Sequence, residues 1–337
     1  MQQVLICLIV CCLGMMVEAA ESPYASMKFG IGARSMGMGH GFVAIADDAS
    51  SIYWNPAGLG QLDKQEIVFT AMNMTTDSPE LKNRYIGLSY VYPRLFKENS
   101  GAIGISIIQV GVNDIKKTGI DEYGEMIRIG SFDSNETTLV VSYGKEVLRD
   151  MLYAGTSIKI FKHQLDNYSG NGLGIDVGVM ANVSSAFNRM NNPLFGFMDD
   201  MKIGLILSNN LPKEWDSGHR DEDALSGTLA IAAVPWKTEA YKLNAMASLS
   251  QVKKRPMTFS AGCEFRYLSL PVPISFWGGI DNVYLEQRES VVDTSRLNQG
   301  KRLSLGMGAR CKIIRVDYTV SLERSRARHQ VSTGVNF

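Results

Sequence analysis

The sequence is poor in the residues that most enzymes use for chemistry. It holds five cysteines and four histidines in 337 residues. Cys7, Cys11 and Cys12 fall near the start, which leaves only Cys263 and Cys311 in the body of the chain. Two thiols make no disulfide framework, and no paired His/Cys spacing of a metal site occurs. His40 stands alone, and His163, His219 and His329 fall near expected strand ends or in loops and read as solvated. No Ser/His/Asp arrangement can be argued from so few histidines, and the chain is expected to be no enzyme and to use no cofactor or metal. An excess of charge of one sign is missing too. The 34 basic residues balance 34 acidic ones, so there is no reason to expect nucleic acid as a partner. Beyond residue 20 no run of about eighteen apolar residues occurs, and helical membrane spans are not expected. Helical periodicity is largely absent, apart from a turn expected within 184–200.

The first twenty residues differ from the rest. "VLICLIVCCLGMMV" (4–17) is an apolar run of signal-peptide length, and "VEAAES" (17–22) supplies the small residues of a cleavage site near Ala19 or Ala20. Residues 1–20 are therefore read as a signal peptide and the chain as exported.

From residue 65 onward the period is two. In "IIRVDYTVSL" (313–322), Ile314, Val316, Tyr318, Val320 and Leu322 point one way, and Arg315, Asp317, Thr319 and Ser321 the other. In "MTFSAGCEFR" (257–266), Met257, Phe259, Ala261, Cys263 and Phe265 oppose Thr258, Ser260, Gly262, Glu264 and Arg266. About fourteen such segments recur. They lie near 65–74, 83–92, 101–111, 136–146, 152–163, 171–184, 201–209, 224–236, 240–250, 256–266, 272–281, 301–312, 313–322 and 328–337. Each has the length of a tilted membrane-spanning strand. The second face is rich in Gly, Ser, Thr and Asn with isolated charges, which suits a crowded lumen, while the apolar face would meet lipid. Tyr92, Tyr143, Tyr153, Trp236, Tyr241 and Tyr284 at strand ends fit interfacial girdles. With the first strand running outward, the longer connections, such as 112–135, 209–224 and 282–300, fall outside the cell. The expectation is an all-β transmembrane antiparallel up-and-down barrel of about fourteen strands, spanning 65–337.

Between leader and strands lies "GARSMGMGHGFVAIADDASSIYWNPAGLG" (32–60). Its G-x-G-x-G run does not have the spacing of a dinucleotide fingerprint, and no alternating parallel strands and helices follow. One of Asp47 and Asp48 is expected to cap a short helix through "ASSIYW". That helix must stop at Asn55, because the residue before a proline avoids the helical region.

This stretch resembles the N-terminal signature of the PorV/PorQ family, within the wider group of FadL-like outer-membrane transport barrels. The matching positions are Gly32, Ala33, Arg34, Gly37, Met38, Gly39, Phe42, Val43 and Ala44, then Asp47, Asp48, Ala49, Ser50, Tyr53, Trp54, Asn55, Pro56, Ala57, Gly58 and Leu59. His40 and Gly41 depart from the pattern. The resemblance implies that residues 21–64 form a plug, or hatch, in the lumen. Its motif would comprise Gly32, Arg34, Gly37, Gly39, Asp47, Asp48, Trp54, Asn55, Pro56, Ala57 and Gly58. Arg34 inside a barrel needs a lumen carboxylate such as Asp176, Glu264 or Asp317. The charges available on the wall are Asp176, Glu264, Arg266, Arg310, Arg315 and Asp317. Whether the segment is a gate or a fixed stopper stays open at this point.

The family resemblance implies an outer-membrane location in a diderm bacterium and a secretion-associated role, with exported proteins or secretion components held by the outer loops. The alternative is a FadL-like carrier of small hydrophobic molecules such as long-chain fatty acids. The loop 209–224 is polar and acidic, and the outer loops show few Leu and Phe, which favours protein contact over capture of a hydrophobic ligand. Membrane lipid surrounds the barrel in either case. Terminal Phe337 resembles the signal read by the outer-membrane assembly machinery.

Overall fold

The computed structural model describes residues 24–39, 41–74, 82–93, 101–185, 199–221, 224–253, 255–285, 301–323 and 326–337. The signal-peptide reading of 1–20 and most of the turn expected within 184–200 lie outside these residues, although 183–185 are helical.

Fifteen strands follow an N-terminal segment of short helices. They are β1 (Glu66–Met74), β2 (Lys82–Tyr92), β3 (Ala102–Ile120), β4 (Met126–Leu148), β5 (Leu152–Leu165), β6 (Tyr168–Asn182), β7 (Asp199–Asn210), β8 (Glu214–Trp215), β9 (Ala224–Lys237), β10 (Tyr241–Val252), β11 (Thr258–Tyr267), β12 (Ile274–Tyr284), β13 (Arg302–Cys311), β14 (Ile314–Glu323) and β15 (Arg326–Asn336). All but β8 form the wall. Neighbours in sequence pair antiparallel, β7 pairs with β9, and β1 pairs with β15 from Glu66↔Asn336 to Met74↔Arg328. The ring is therefore a closed fourteen-strand barrel with no free edge along the wall, the condition for strands to cross a bilayer.

The alternation read from the sequence takes the orientation expected of a membrane barrel. On β14, Val316 and Leu322 are each 48% exposed on the outside, while Asp317 and Thr319 are 2% and 0% exposed inside. Inward hydroxyls satisfy one another across strand pairs: Ser89–Ser106 at 2.9 Å, Ser142–Ser157 at 2.7 Å and Ser304–Ser321 at 2.7 Å. A core of serines and threonines is stable only where each hydroxyl finds such a partner.

The two rims differ. Short connections such as 149–151, 238–240 and 312–313 mark the rim where β1 begins, here called the turn rim. The opposite, or loop, rim carries one departure from expectation. Residues 112–135 are not a loop. β3 and β4 run past their neighbours as a two-stranded ribbon that turns at 121–125. Two register shifts, at Val112/Ile115 and Lys117/Thr118, break the alternation into different frames, so no single period-two pattern crosses the region. The Asp121 carboxylate closes the turn by accepting the Tyr123 and Glu125 backbone N–H groups, both at 2.9 Å.

Cys263 and Cys311 are free and exposed on the outer surface. Cys263 lies opposite Gly278, which lies opposite Leu305, so Cys311 is a further six residues along β13. That offset adds roughly 20 Å along the strand to the two-strand lateral spacing, far beyond disulfide reach. Intact mass should therefore be the same before and after reduction. A reversible loss of two hydrogens would contradict the barrel register.

Candidate functional site: the N-terminal segment and its charge cluster

Residues 24–62 fold as short helical turns, Ala25–Lys28, Ala33–Gly37, Phe42–Ala44, Ser51–Trp54 and Pro56–Gln61. Positive-φ glycines at 30, 32 and 39 keep the turns short. The segment packs against inward-facing positions on all sides of the ring. Near the loop rim the Tyr24 ring stacks on Phe161 of β5 at 3.7 Å between centroids. At the turn rim, the backbone of Pro56 lies against Gly144 and Gly155, and Gly60 lies against Lys145. Between these points Met38 and Gly39 rest backbone to backbone on Gly262 of β11 and Gly279 of β12. Short helices leave their terminal backbone groups unpaired, and here wall hydroxyls pair them. Ala33 N–H donates to Ser332 Oγ at 3.0 Å, Thr319 Oγ1 donates to Ala33 O at 2.6 Å, and Trp277 Nε1 donates to Thr319 Oγ1 at 2.8 Å.

The Asn-Pro turn has the expected geometry. The helix stops at Asn55, whose backbone is extended at φ −166°. Asn55 Oδ1 accepts the Ala57 N–H at 3.1 Å, and its Nδ2 donates to Val43 O at 2.9 Å and Val179 O at 3.3 Å. One amide thus ties two parts of the segment to β6. Trp54 Nε1 donates to Ile31 O at 2.8 Å, and Gly58 sits against Ala46, where a Cβ would meet the Ala46 carbonyl oxygen at 2.3 Å. Ser50 occupies the helix N-cap position, and Asp48 acts just upstream, accepting the Ser50 N–H at 2.9 Å.

Arg34 is 3% exposed and sits at the centre of a charge cluster. Its Nε and Nη2 donate to the two carboxylate oxygens of Glu264 at 2.7 and 2.9 Å, and Nη1 donates to Asp47 at 2.5 Å. This bidentate fork is the strong form of the pair. Glu264 also receives Asn244 Nδ2 at 2.7 Å and lies 3.0 Å from Arg266 Nε. A second branch runs from Arg315 to Asp48 at 3.0 Å and to Asp317 at 2.9 Å. Glu66 joins it, 3.9 Å from Arg315, and accepts the Ala49 N–H at 2.7 Å. Burial alone would push the Arg34 guanidinium down, but Asp47 and Glu264 hold it well above its ordinary value, so it carries its charge at every working pH.

The structure brings Arg34, Asp47, Asp48, Glu264, Arg266, Arg315 and Asp317 together. Four expectations are corrected. Asp176 does not meet Arg34; it pairs with Lys159 of the adjoining strand at 2.7 Å, because both point inward on neighbouring strands. Asp317 serves Arg315 and not Arg34. Arg310 is exposed at the turn rim and makes no ion pair with the segment among the described residues. His163 is also not solvated; it lies 2.9 Å from Lys213 Nζ and 2.9 Å from Ser134 Oγ. Sequence reasoning missed Glu66 and Asn244, although the inward parity of β1 and β10 carries them. His40 lies outside the described residues.

The wall glycines give a direct test of this packing. A Cβ on Gly178 would lie 2.0 Å from Asn55 Oδ1. β6 is fixed by ladders on both sides and Pro56 stiffens the turn, so the segment has to yield. Gly178→Val should leave the barrel resistant to SDS at room temperature but expose residues 40–60 to protease. An unchanged digestion pattern would contradict the contact.

Solved structures share this architecture. The Ralstonia pickettii toluene transporter TbuX matches with a TM-score of 0.53 at 13% identity, over 91% of this chain and 97% of that one. The Pseudomonas putida toluene transporter TodX matches with a TM-score of 0.52 at 13% identity, over 96% and 99%. The CymD monoaromatic hydrocarbon channel matches with a TM-score of 0.53 at 11% identity, over 91% and 98%. The chain has a FadL-like barrel fold. At these identities the likeness of the FadL-like neighbours extends to the fold alone. No protein-family model matches the sequence, and no curated protein matches it.

Proposed function

We propose that this chain is an outer-membrane carrier of small hydrophobic molecules, with residues 24–62 acting as the plug of its lumen. The observation that carries the reading is the ribbon of β3 and β4. Phe132 shares the inward parity of Glu136 and Thr138 and pairs with Ile115 across the ribbon. Ile127 lies opposite Gly119, and Ile129 packs at the same glycine. Ile115, Ile127, Ile129 and Phe132 therefore share one face, which continues the lumen side of the wall beyond the rim. Ile127 and Ile129 remain 43% and 57% exposed. The apparent lack of apolar residues at this mouth came from reading 112–135 as a polar loop. As a ribbon it presents these four apolar side chains, with Lys117 paired to Asp166 among them, beyond the rim of the barrel, where an apolar ligand gains from burial. The fold neighbours that are toluene transporters and monoaromatic hydrocarbon channels point to the same class of cargo.

The secretion-associated reading rests on the family resemblance of 32–59. The loop expected to serve it, 209–224, turns its lysine into the barrel mouth, which leaves less of it for a partner. Outward-facing Phe337 closes β15 with its N–H 3.0 Å from Gln65 O, and we infer that it is the residue read during assembly.

The test is uptake of radiolabelled toluene into proteoliposomes. The parent should accelerate uptake over empty vesicles, and Ile129→Asp/Phe132→Asp should abolish most of that gain. No acceleration by the parent, with exported proteins co-purifying from native membranes, would favour secretion instead.

A further inference from the structure

A buried lysine in a polar loop at the mouth calls for a reason. Lys213 is 1% exposed, yet it lies between β7 and β9, in the stretch that crosses the loop rim. Its Nζ lies 3.3 Å from Glu136 Oε2, 2.9 Å from His163 Nδ1 and 3.9 Å from Asp221, and stands over the rings of Tyr24 and Trp215 at 4.9 and 5.3 Å. The other oxygen of the same carboxylate, Glu136 Oε1, accepts the backbone N–H and the hydroxyl of Ser26 at 2.8 and 2.6 Å. The Tyr24 hydroxyl donates to the carbonyl of Leu211. One wall carboxylate thus holds the crossing stretch with one oxygen and the start of the N-terminal segment with the other.

The rest of the crossing is held by bonds near the surface. Leu211 N–H donates to Leu173 O at 2.8 Å, Asp216 N–H to Ser169 O at 2.9 Å, the Asp216 carboxylate accepts the Ser169 N–H and hydroxyl at 3.1 and 3.2 Å, and β8 adds a two-residue pairing on β6, while Trp215–His219 and Asp221–Lys213 backbone bonds close the stretch on itself. Glu214, Asp216, Ser217, His219 and Arg220 are exposed. A stretch with few buried apolar contacts and many exposed hydrogen bonds opens at low free-energy cost. Its firm anchor is the desolvated Lys213–Glu136 pair.

We propose that residues 211–221 are a strap that closes the mouth, with Lys213 as the clasp. The strap lifts before residues 24–26 can leave their seat, so it times the movement of the segment during passage of a hydrophobic molecule. The inference rests on the carrier reading for its purpose, but not for its test. It makes the N-terminal segment a gate and not a fixed stopper. Among the described residues, the charged and titratable groups facing Lys213 are Glu136, Asp221, His163 and the Tyr24 phenol.

The test uses the leader-free protein in liposomes with Ala25→Cys, which leaves the Ser26–Glu136 bonds in place, in a Cys263→Ser/Cys311→Ser background. A water-soluble maleimide reports access to position 25. Labelling should be slow in this parent, at least tenfold faster with Lys213→Met, and near the parent rate with Lys213→Arg, which keeps the charge. Circular dichroism and resistance to SDS should be the same for all three. Equal labelling of the Met variant and the parent in folded protein overturns the clasp. Fast labelling with Lys213→Arg as well overturns the charge argument. A reversible cross-link between positions 169 and 216 should then stop toluene uptake, with recovery on reduction. Cross-linked protein that still transports overturns the strap while leaving the carrier intact. Protein that never transports but labels as expected removes the carrier reading and keeps the clasp.

Discussion

Arg34→Met should release the N-terminal segment while leaving the barrel folded. The guanidinium is the one positive charge that the segment brings to Glu264, and it also holds Asp47. Without it, Glu264 keeps Arg266 and Asn244, but among the described residues Asp47 keeps only the Arg266 ion pair at 3.8 Å. Breaking a buried pair by removing one partner costs about 3–5 kcal/mol. The wall does not bear that cost, because its hydrogen bonds run from strand to strand. The docking of the segment bears it. Protease cutting within 24–60 should rise by more than tenfold, with heat-modifiable mobility on SDS gels unchanged. Arg34→Met/Glu264→Gln should recover part of the loss, since the stranded charge is gone. Equal protease resistance in Arg34→Met and parent would mean that the cluster does not hold the segment.

The wall was legible in the sequence because a membrane barrel imposes one rule at each of its positions. Fourteen strands follow from the period-two pattern, and the burial of Arg315, Asp317, Thr319 and Ser321 opposite exposed Val316 and Leu322 follows from reading which face is small and polar. The rule failed at 112–135, where two register shifts move the alternation out of frame and the polar residues of a ribbon outside the lipid look like those of a loop. In the site, the need of a buried arginine for a carboxylate pointed to Glu264 but could not choose it over Asp176 and Asp317. All three have inward parity, and the choice depends on where each sits around and along the wall relative to Arg34, which parity does not encode. Lys213 carried no signal at all. Its burial arises from a loop that folds back over the mouth, and a polar loop of the same composition could equally stand in solvent.

The central claim is that residues 24–62 close a polar lumen. Deleting residues 24–60 should give a barrel that still folds, since each ladder hydrogen bond lies in the wall and the inward charges can be hydrated once the segment is gone. The open lumen then presents Glu264, Arg266, Arg315, Asp317 and the inward serines and threonines to water, a lining that passes ions. Asn55→Ala should give a smaller leak, because it removes the amide that ties the segment to β6, at about 1–3 kcal/mol for the partners left unsatisfied. Planar-bilayer conductance of parent, Asn55→Ala and the deletion decides the matter. The expected order is a closed parent, brief openings for Asn55→Ala and steady ohmic current for the deletion. A folded deletion protein that stays as closed as the parent would contradict the plug.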